Sequence, residues 1–187
     1  MVLVVITAFV LHHHCPASGL AITSERREFH RLKNRTTLPQ PADFDARINL
    51  LRVLEPGDDL TRWSVARAGR VEGYVVSVAN ARPELANCYC DRDVHVHIGL
   101  RSDAPPREHM VLEVTPRMRR WARHQGWNWS AEKLQTDLIG HWVRFEGWLF
   151  VDTHHAKEAE NTAPGAADNW RATAWEIHPI TKIQILK

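Results

Sequence analysis

TAWEIHPITKIQIL (Thr173–Leu186) reads as a β-strand with a polar pair set into an apolar run. The period of two sends Trp175, Ile177 and Pro179 to one face and Ala174, Glu176, His178 and Ile180 to the other. Glu176 and His178 then share a face, roughly 7 Å apart along the strand. A second strand repeats the arrangement: in CDRDVHVHIGL, Asp93, His95 and His97 alternate with Val94, Val96 and Ile98. These two strands decide the fold, because a small closed sheet is needed to bring them together.

Working outward, three further strands are legible. RVEGYVVSV begins near Arg70, MVLEVTP carries Glu113 between Leu112 and Val114, and HWVRFEGWLFV follows a helical stretch. That stretch contains RMRRWARHQGW and a second helix capped by Ser130 and stopped by Gly140. The order is strand, strand, strand, helix, strand, strand. It predicts a mainly β fold, a five-stranded OB-like barrel with its helix between strands three and four. Such barrels bind ligands on the face of strands two and three, between the loops joining strands one to two and four to five. Here those loops carry Cys88, Cys90 and Asp91, and Asp152, His154 and His155.

The chain divides into residues 1–21, 22–68 and 69–187. MVLVVITAFVL (Met1–Leu11) is apolar, too short to span a bilayer, and followed by small residues. It reads as a signal peptide, which makes the protein exported; without cleavage the protein stays cytoplasmic. On the first reading, Cys15 and the run His12–His14 leave with the leader. Thr23–Arg35 holds five basic residues against two acidic and reads as a solvated arm or exposed helix turn. Asp43 can cap a short helix over FDARINLLRVL that Pro56 and Gly57 end, making residues 36–68 a helical cover.

The 187 residues, 44% hydrophobic and 25% charged, suffice for one domain with a core. The formal charge of +2 argues against a strong electrostatic footprint for nucleic acid. The 12 His raise metal binding and acid–base work as functions. Three cysteines make no disulfide scaffold, and Cys88 and Cys90 are left as free thiols, a strained pair or metal ligands. Trp121, Trp127 and Trp129 read as core plugs, and Arg117, Arg119, Arg120 and Arg123 as a solvated face.

The sequence resembles a group of small, mostly uncharacterised and often exported bacterial proteins. The resemblance spans roughly residues 70–187 and rests on DRDVHVHI (Asp91, Asp93, His95), LEVTP (Glu113), GWLFVDTHH (Gly147, Asp152, His155) and WEIHPI (Glu176, His178, Pro179). The Phe of the third element is shifted, and Cys88-Tyr89-Cys90 lies outside the pattern. The resemblance implies a site and no reaction.

Asp93, His95, Glu113, Asp152, His155 and His178 are the candidate ligands of a divalent metal, with zinc or manganese suiting imidazole and carboxylate together. Cys88, Cys90, His95 and His97 form a competing set. The same groups can instead make a buried polar network that closes the barrel. A third reading is metal-dependent hydrolysis of a phosphodiester, with Glu176 or His155 moving protons. A fourth is a single-stranded nucleic-acid-binding module. No Gly-rich phosphate loop, Gly-x-Ser-x-Gly elbow or His-Glu-x-x-His helix is present. A single site requires His95 and His178 to lie within about 10 Å or to share a partner, since metal–nitrogen bonds are only about 2 Å.

Overall fold

The computed structural model describes residues 15–186. Five strands form a closed barrel in the order β1-β2-β3-β5-β4: β1 Ala68–Asn80, β2 Val94–Gly99, β3 Met110–Val114, β4 Trp142–Val151 and β5 Trp175–Ile185. All neighbours are antiparallel except β3 and β5. The fold is the expected OB-like barrel.

Alternation explains its two faces. Val94, Val96 and Ile98 of β2, Met110, Leu112 and Val114 of β3, and Trp175 and Ile177 of β5 fill the barrel. The residues between them, His95 and His97, Glu113, and Glu176 and His178, therefore lie on the outer face. The expected alternation fails in one place, because Ile180 joins the core with Ile177 instead of sharing a face with Glu176 and His178. The β4–β5 register shifts between Glu146 and Leu149 there. Gly147 permits the approach, since a Cβ on it would sit 2.2 Å from the Pro179 carbonyl oxygen. The His178–Pro179 peptide is cis.

Two helices lie between β3 and β4: α3 (Pro116–His124) and α4 (Ala131–Leu138). Thr115 and Ser130 cap them by accepting from the backbone N–H groups of Met118 and Lys133. Met118, Ala122, Leu134 and Leu138 extend the core. Of the three tryptophans, Trp129 is buried and Trp121 packs partly against the core, whereas Trp127 is 49% exposed. The arginines of α3 are not all solvated. Arg119 binds Asp91, and Arg117 binds Asn34 and the Cys15 carbonyl.

The segment ahead of the barrel departs most from expectation. Residues read as a solvated basic arm or exposed helix turn form a full helix, α1 (Ser24–Lys33), capped by Thr23, with His30 and Lys33 buried. The expected helix over Phe44–Leu54 shrinks to α2 (Leu50–Val53), capped by Asn49 rather than Asp43. Asp43 instead ends a 3₁₀ turn that begins at Pro41. Cys15 forms a disulfide with Cys88, so residue 15 belongs to the folded domain. This corrects the reading that Cys15 departs with a leader ending at residue 21. It also removes Cys88 from pairing with Cys90 or holding metal; Cys90 is a free thiol. The rest of the leader reading falls on residues 1–14, outside the described residues. Among the described residues, no helix is long and apolar enough to cross a membrane.

Candidate metal centre

The polar outer face is assembled by strand register. His95 of β2 lies opposite Glu113 of β3, and Val111 of β3 pairs with Glu176 of β5. Glu113 thereby becomes the shared partner of both histidines. Its Oε1 is 3.1 Å from His95 Nε2, and its Oε2 is 3.4 Å from His178 Nδ1. This meets the condition for one site.

Asp93 enters from the end of the β1–β2 loop. Ligand atoms of Asp93, Glu113 and His178 all lie within 4.8 Å of one another. Each of the three is buried, and each has an atom without a hydrogen-bond partner: Asp93 Oδ1, Glu113 Oε2 and His178 Nε2. Buried polar atoms are rarely left unpaired, so one on each of three neighbouring residues is a specific signal. The donor set, two carboxylates and an imidazole, is one that divalent zinc, manganese or iron accepts. This cluster can hold a metal ion.

Charge favours the same conclusion. Glu84, Asp93, Glu113, Asp152, Glu158 and Glu176 face three fixed cations, Lys33, Arg82 and Arg171. Three negative charges remain to be neutralised by protons or by a bound cation. Lys33 Nζ donates to both oxygens of Glu84 at 2.8 Å. Burial opposes its charge, but Glu113, Asp93, Glu84 and Glu176 outweigh burial and hold the ammonium above its ordinary range. Asp93 is pushed well above the usual carboxylate range by burial and then by Glu113. Glu113 goes well below it: burial opposes ionisation, but His178, His95 and Lys33 prevail.

Around the cluster, a cavity of about 630 Å³ is lined by both long loops. Asp93, His95, Glu113 and Glu176 form part of its wall, as do Lys33 and Arg82. Asp152 and His155 stand on the same cavity, outside the trio. His155 Nδ1 donates to Asp152 Oδ2 at 2.6 Å. Asp152 Oδ1 accepts from the His154 backbone N–H at 3.2 Å, and its Oδ2 also accepts from Arg171 at 3.3 Å. The His155 pKa is raised by that hydrogen bond, against partial burial. Asp152 is driven below its ordinary range: burial opposes this, and His155 and Arg171 override it.

Arg171 is fully buried and joins the two halves, binding Asp152 on one side and Glu176 on the other. Glu176 Oε2 is 3.0 Å from His178 Nδ1. Glu176 thus spends both oxygens on Arg171 and His178, an arrangement that orients the imidazole ring.

The sequence singled out Asp93, His95, Glu113, Asp152, His155, Glu176 and His178, and all but His178 line this one cavity. It missed Lys33, Glu84, Asn87 and Arg171. Asn87 Nδ2 donates to Asp93 Oδ2 at 3.0 Å. An odd cysteine count says that one thiol is left over and gave no pointer to Cys88 as the partner of Cys15. No protein-family model matches this sequence, and comparison with curated proteins finds no match. The functional reading therefore rests on the site itself.

Proposed function

We propose that the protein is an exported small β-barrel domain that binds a divalent metal, zinc or manganese, through Asp93, Glu113 and His178. The observation that carries this reading is the trio itself: three buried residues whose ligand atoms lie within 4.8 Å of one another, each keeping a buried polar atom without a hydrogen-bond partner. His95 and Glu176 hold Glu113 and His178 in place. The Cys15–Cys88 disulfide supports an oxidising compartment, where structural disulfides persist. The resemblance to exported bacterial proteins agrees with it.

The dyad of Asp152 and His155 favours a second reading, metal-dependent hydrolysis. A carboxylate on Nδ1 fixes the tautomer of His155, leaving its other nitrogen to take or give a proton at the cavity. Asp93, Glu113 and His178 would hold a divalent ion, which would supply Lewis-acid chemistry when bound. His155 is the general base in this reading, and Glu176 a positioning residue. Lys33 and Arg82 are the two fixed cations on the wall. The carboxylate-rich lining leaves a phosphodiester or single-stranded nucleic acid less favoured than a neutral or cationic substrate.

Metal content of the purified, tag-free chain tests the first reading. We expect near-stoichiometric metal in the wild type and none in His178→Ala. Wild type that neither carries nor takes up zinc or manganese contradicts it. His155→Gln tests the second reading: it should keep the metal while abolishing any turnover found in an ester screen.

A further inference from the structure

The N-terminal segment lies across the site, and little apolar packing holds it there. No hydrophobic side chain of α1 is fully buried; Phe29 and Leu32 are half-buried. Phe29 rests on Phe150 at 4.8 Å and His154 at 4.5 Å, and Phe150 in turn covers His178 at 5.2 Å. The remaining anchors are polar; apart from Arg117 of α3, which donates to Asn34 and to the Cys15 carbonyl, they converge on the β1–β2 loop. Leu20 N–H donates to the Leu85 carbonyl at 3.0 Å. Asn34 donates to the carbonyls of Ala17 and Ala86 at 3.1 and 2.8 Å. Lys33 reaches Glu84. Gly19 has a positive φ of 55°, and a Cβ on it would meet the Leu85 carbonyl oxygen at 2.2 Å, so only glycine lets the segment lie this close. The covalent tie is Cys15–Cys88, which bridges a sequence separation of 73.

We infer that this disulfide fastens residues 15–34 as a strap over the outer face of the site, and that reduction by a dithiol releases the strap and exposes the site. In that step the dithiol gives two electrons and two protons. The Cys15–Cys88 bond breaks to two thiols, and the dithiol closes to its own disulfide. Release withdraws Lys33 from Glu84 and uncovers Phe150 and His178. It also frees the loop whose Asn87 holds Asp93. The tie matters because each of these hydrogen bonds replaces one to water and contributes little net free energy, and a half-buried Phe29 contributes less than a core aromatic. This inference builds on the reading of Asp93, Glu113 and His178 as a site, but its test needs no metal.

The full metal-free chain is treated briefly with an amine-acetylating reagent, and labelling of Lys33 is compared with that of exposed Lys133 by mass spectrometry. Amide hydrogen exchange is followed in parallel. Three states are compared: oxidised wild type, wild type with dithiothreitol, and Cys15→Ser without reductant. Cys90→Ser is the control that keeps the disulfide. We expect Lys33 labelling to rise at least tenfold in both disulfide-free states, with faster exchange over residues 24–33 and β1–β5 still protected. Lys33 equally protected in all states overturns the inference. Loss of protection throughout the barrel also overturns it, since the disulfide would then stabilise the whole fold rather than a strap. Failure of metal binding leaves either result intact.

Discussion

The inside and the outside of this barrel are built on opposite principles. Inside, Val, Ile, Leu, Met, Phe and Trp side chains from all five strands meet in one apolar cluster. Outside, the β2–β3–β5 face carries carboxylates, histidines, Lys33 and Arg171 under the N-terminal strap and the β4–β5 loop. The interior is held by the loss of apolar surface from water, a non-directional effect that tolerates exchange of one hydrocarbon for another. The outer face is held by pairing, in which each group matters through its partners. The contrast teaches that stability and site chemistry can be perturbed separately in this molecule.

The largest effect falls on the interior. Phe145→Ala removes a fully buried ring and should cost about 3–5 kcal/mol in urea unfolding. The loss should be the same with and without zinc, because the ring belongs to the apolar interior rather than to the polar outer face. A loss that changes with zinc would break the separation.

Next comes the outer face. Arg171→Met strands Asp152 and Glu176 in a buried setting, and removing one partner of a buried pair costs about 3–5 kcal/mol. Part of the loss should return as pH falls and the stranded carboxylates take up protons. A loss independent of pH would make Arg171 a packing residue and erase the contrast.

Acid response provides a smaller test. His97 is pushed down to about 4, chiefly by burial and then by His95 and His109. Its folded pKa lies below its unfolded value near 6.5. Between those values the unfolded chain therefore binds the proton first, and stability falls as pH drops from about 6.5 to about 4. Below that range the contribution is exhausted. Urea midpoints from pH 7 to 4.5 should fall more steeply for wild type than for His97→Gln.

The smallest effect is the most discriminating. Burial and Glu113 raise the Asp93 pKa, so the folded chain holds this proton more tightly than the unfolded chain does. Wild type consequently loses stability as pH rises from the ordinary carboxylate range toward the raised value. Asp93→Asn removes that loss and can still accept from Asn87. Without metal, the variant should be as stable as wild type at pH 7 or slightly more so. Marked destabilisation would mean that Asp93 is structural rather than a ligand.

The same contrast governs what could be read from the chain alone. Alternation is a local signal, so the strands, their order and the shared face of His95 and His97, or of Glu176 and His178, were legible. Ser130 as a cap was equally local. The break at Ile180 was not, because it comes from the register shift beside Gly147, a property of two strands together. Lys33 looked like one charge among many on a basic arm; only the fold brings it to Glu84. Arg171 sits in a polar loop with no pattern around it. Cys15 is far from Cys88 in sequence and was assigned to a leader, which hid the disulfide. Asp43 had the chemistry of a cap, but the chain extends past Phe44 and the helix starts only after Asn49.

The central claim is that Asp93, Glu113 and His178 hold a divalent cation. Its most direct test is calorimetric titration of zinc into chelator-stripped wild type and His178→Ala, with thermal unfolding at saturation. The account predicts one site per chain in wild type, lost in the variant. At free zinc of about one hundred times Kd, a ligand bound only to the folded state adds about 2.7 kcal/mol, a rise in Tm of roughly 5–10 °C for a chain of this size. No binding heat and an unchanged Tm in wild type, or equal binding in both chains, would contradict it.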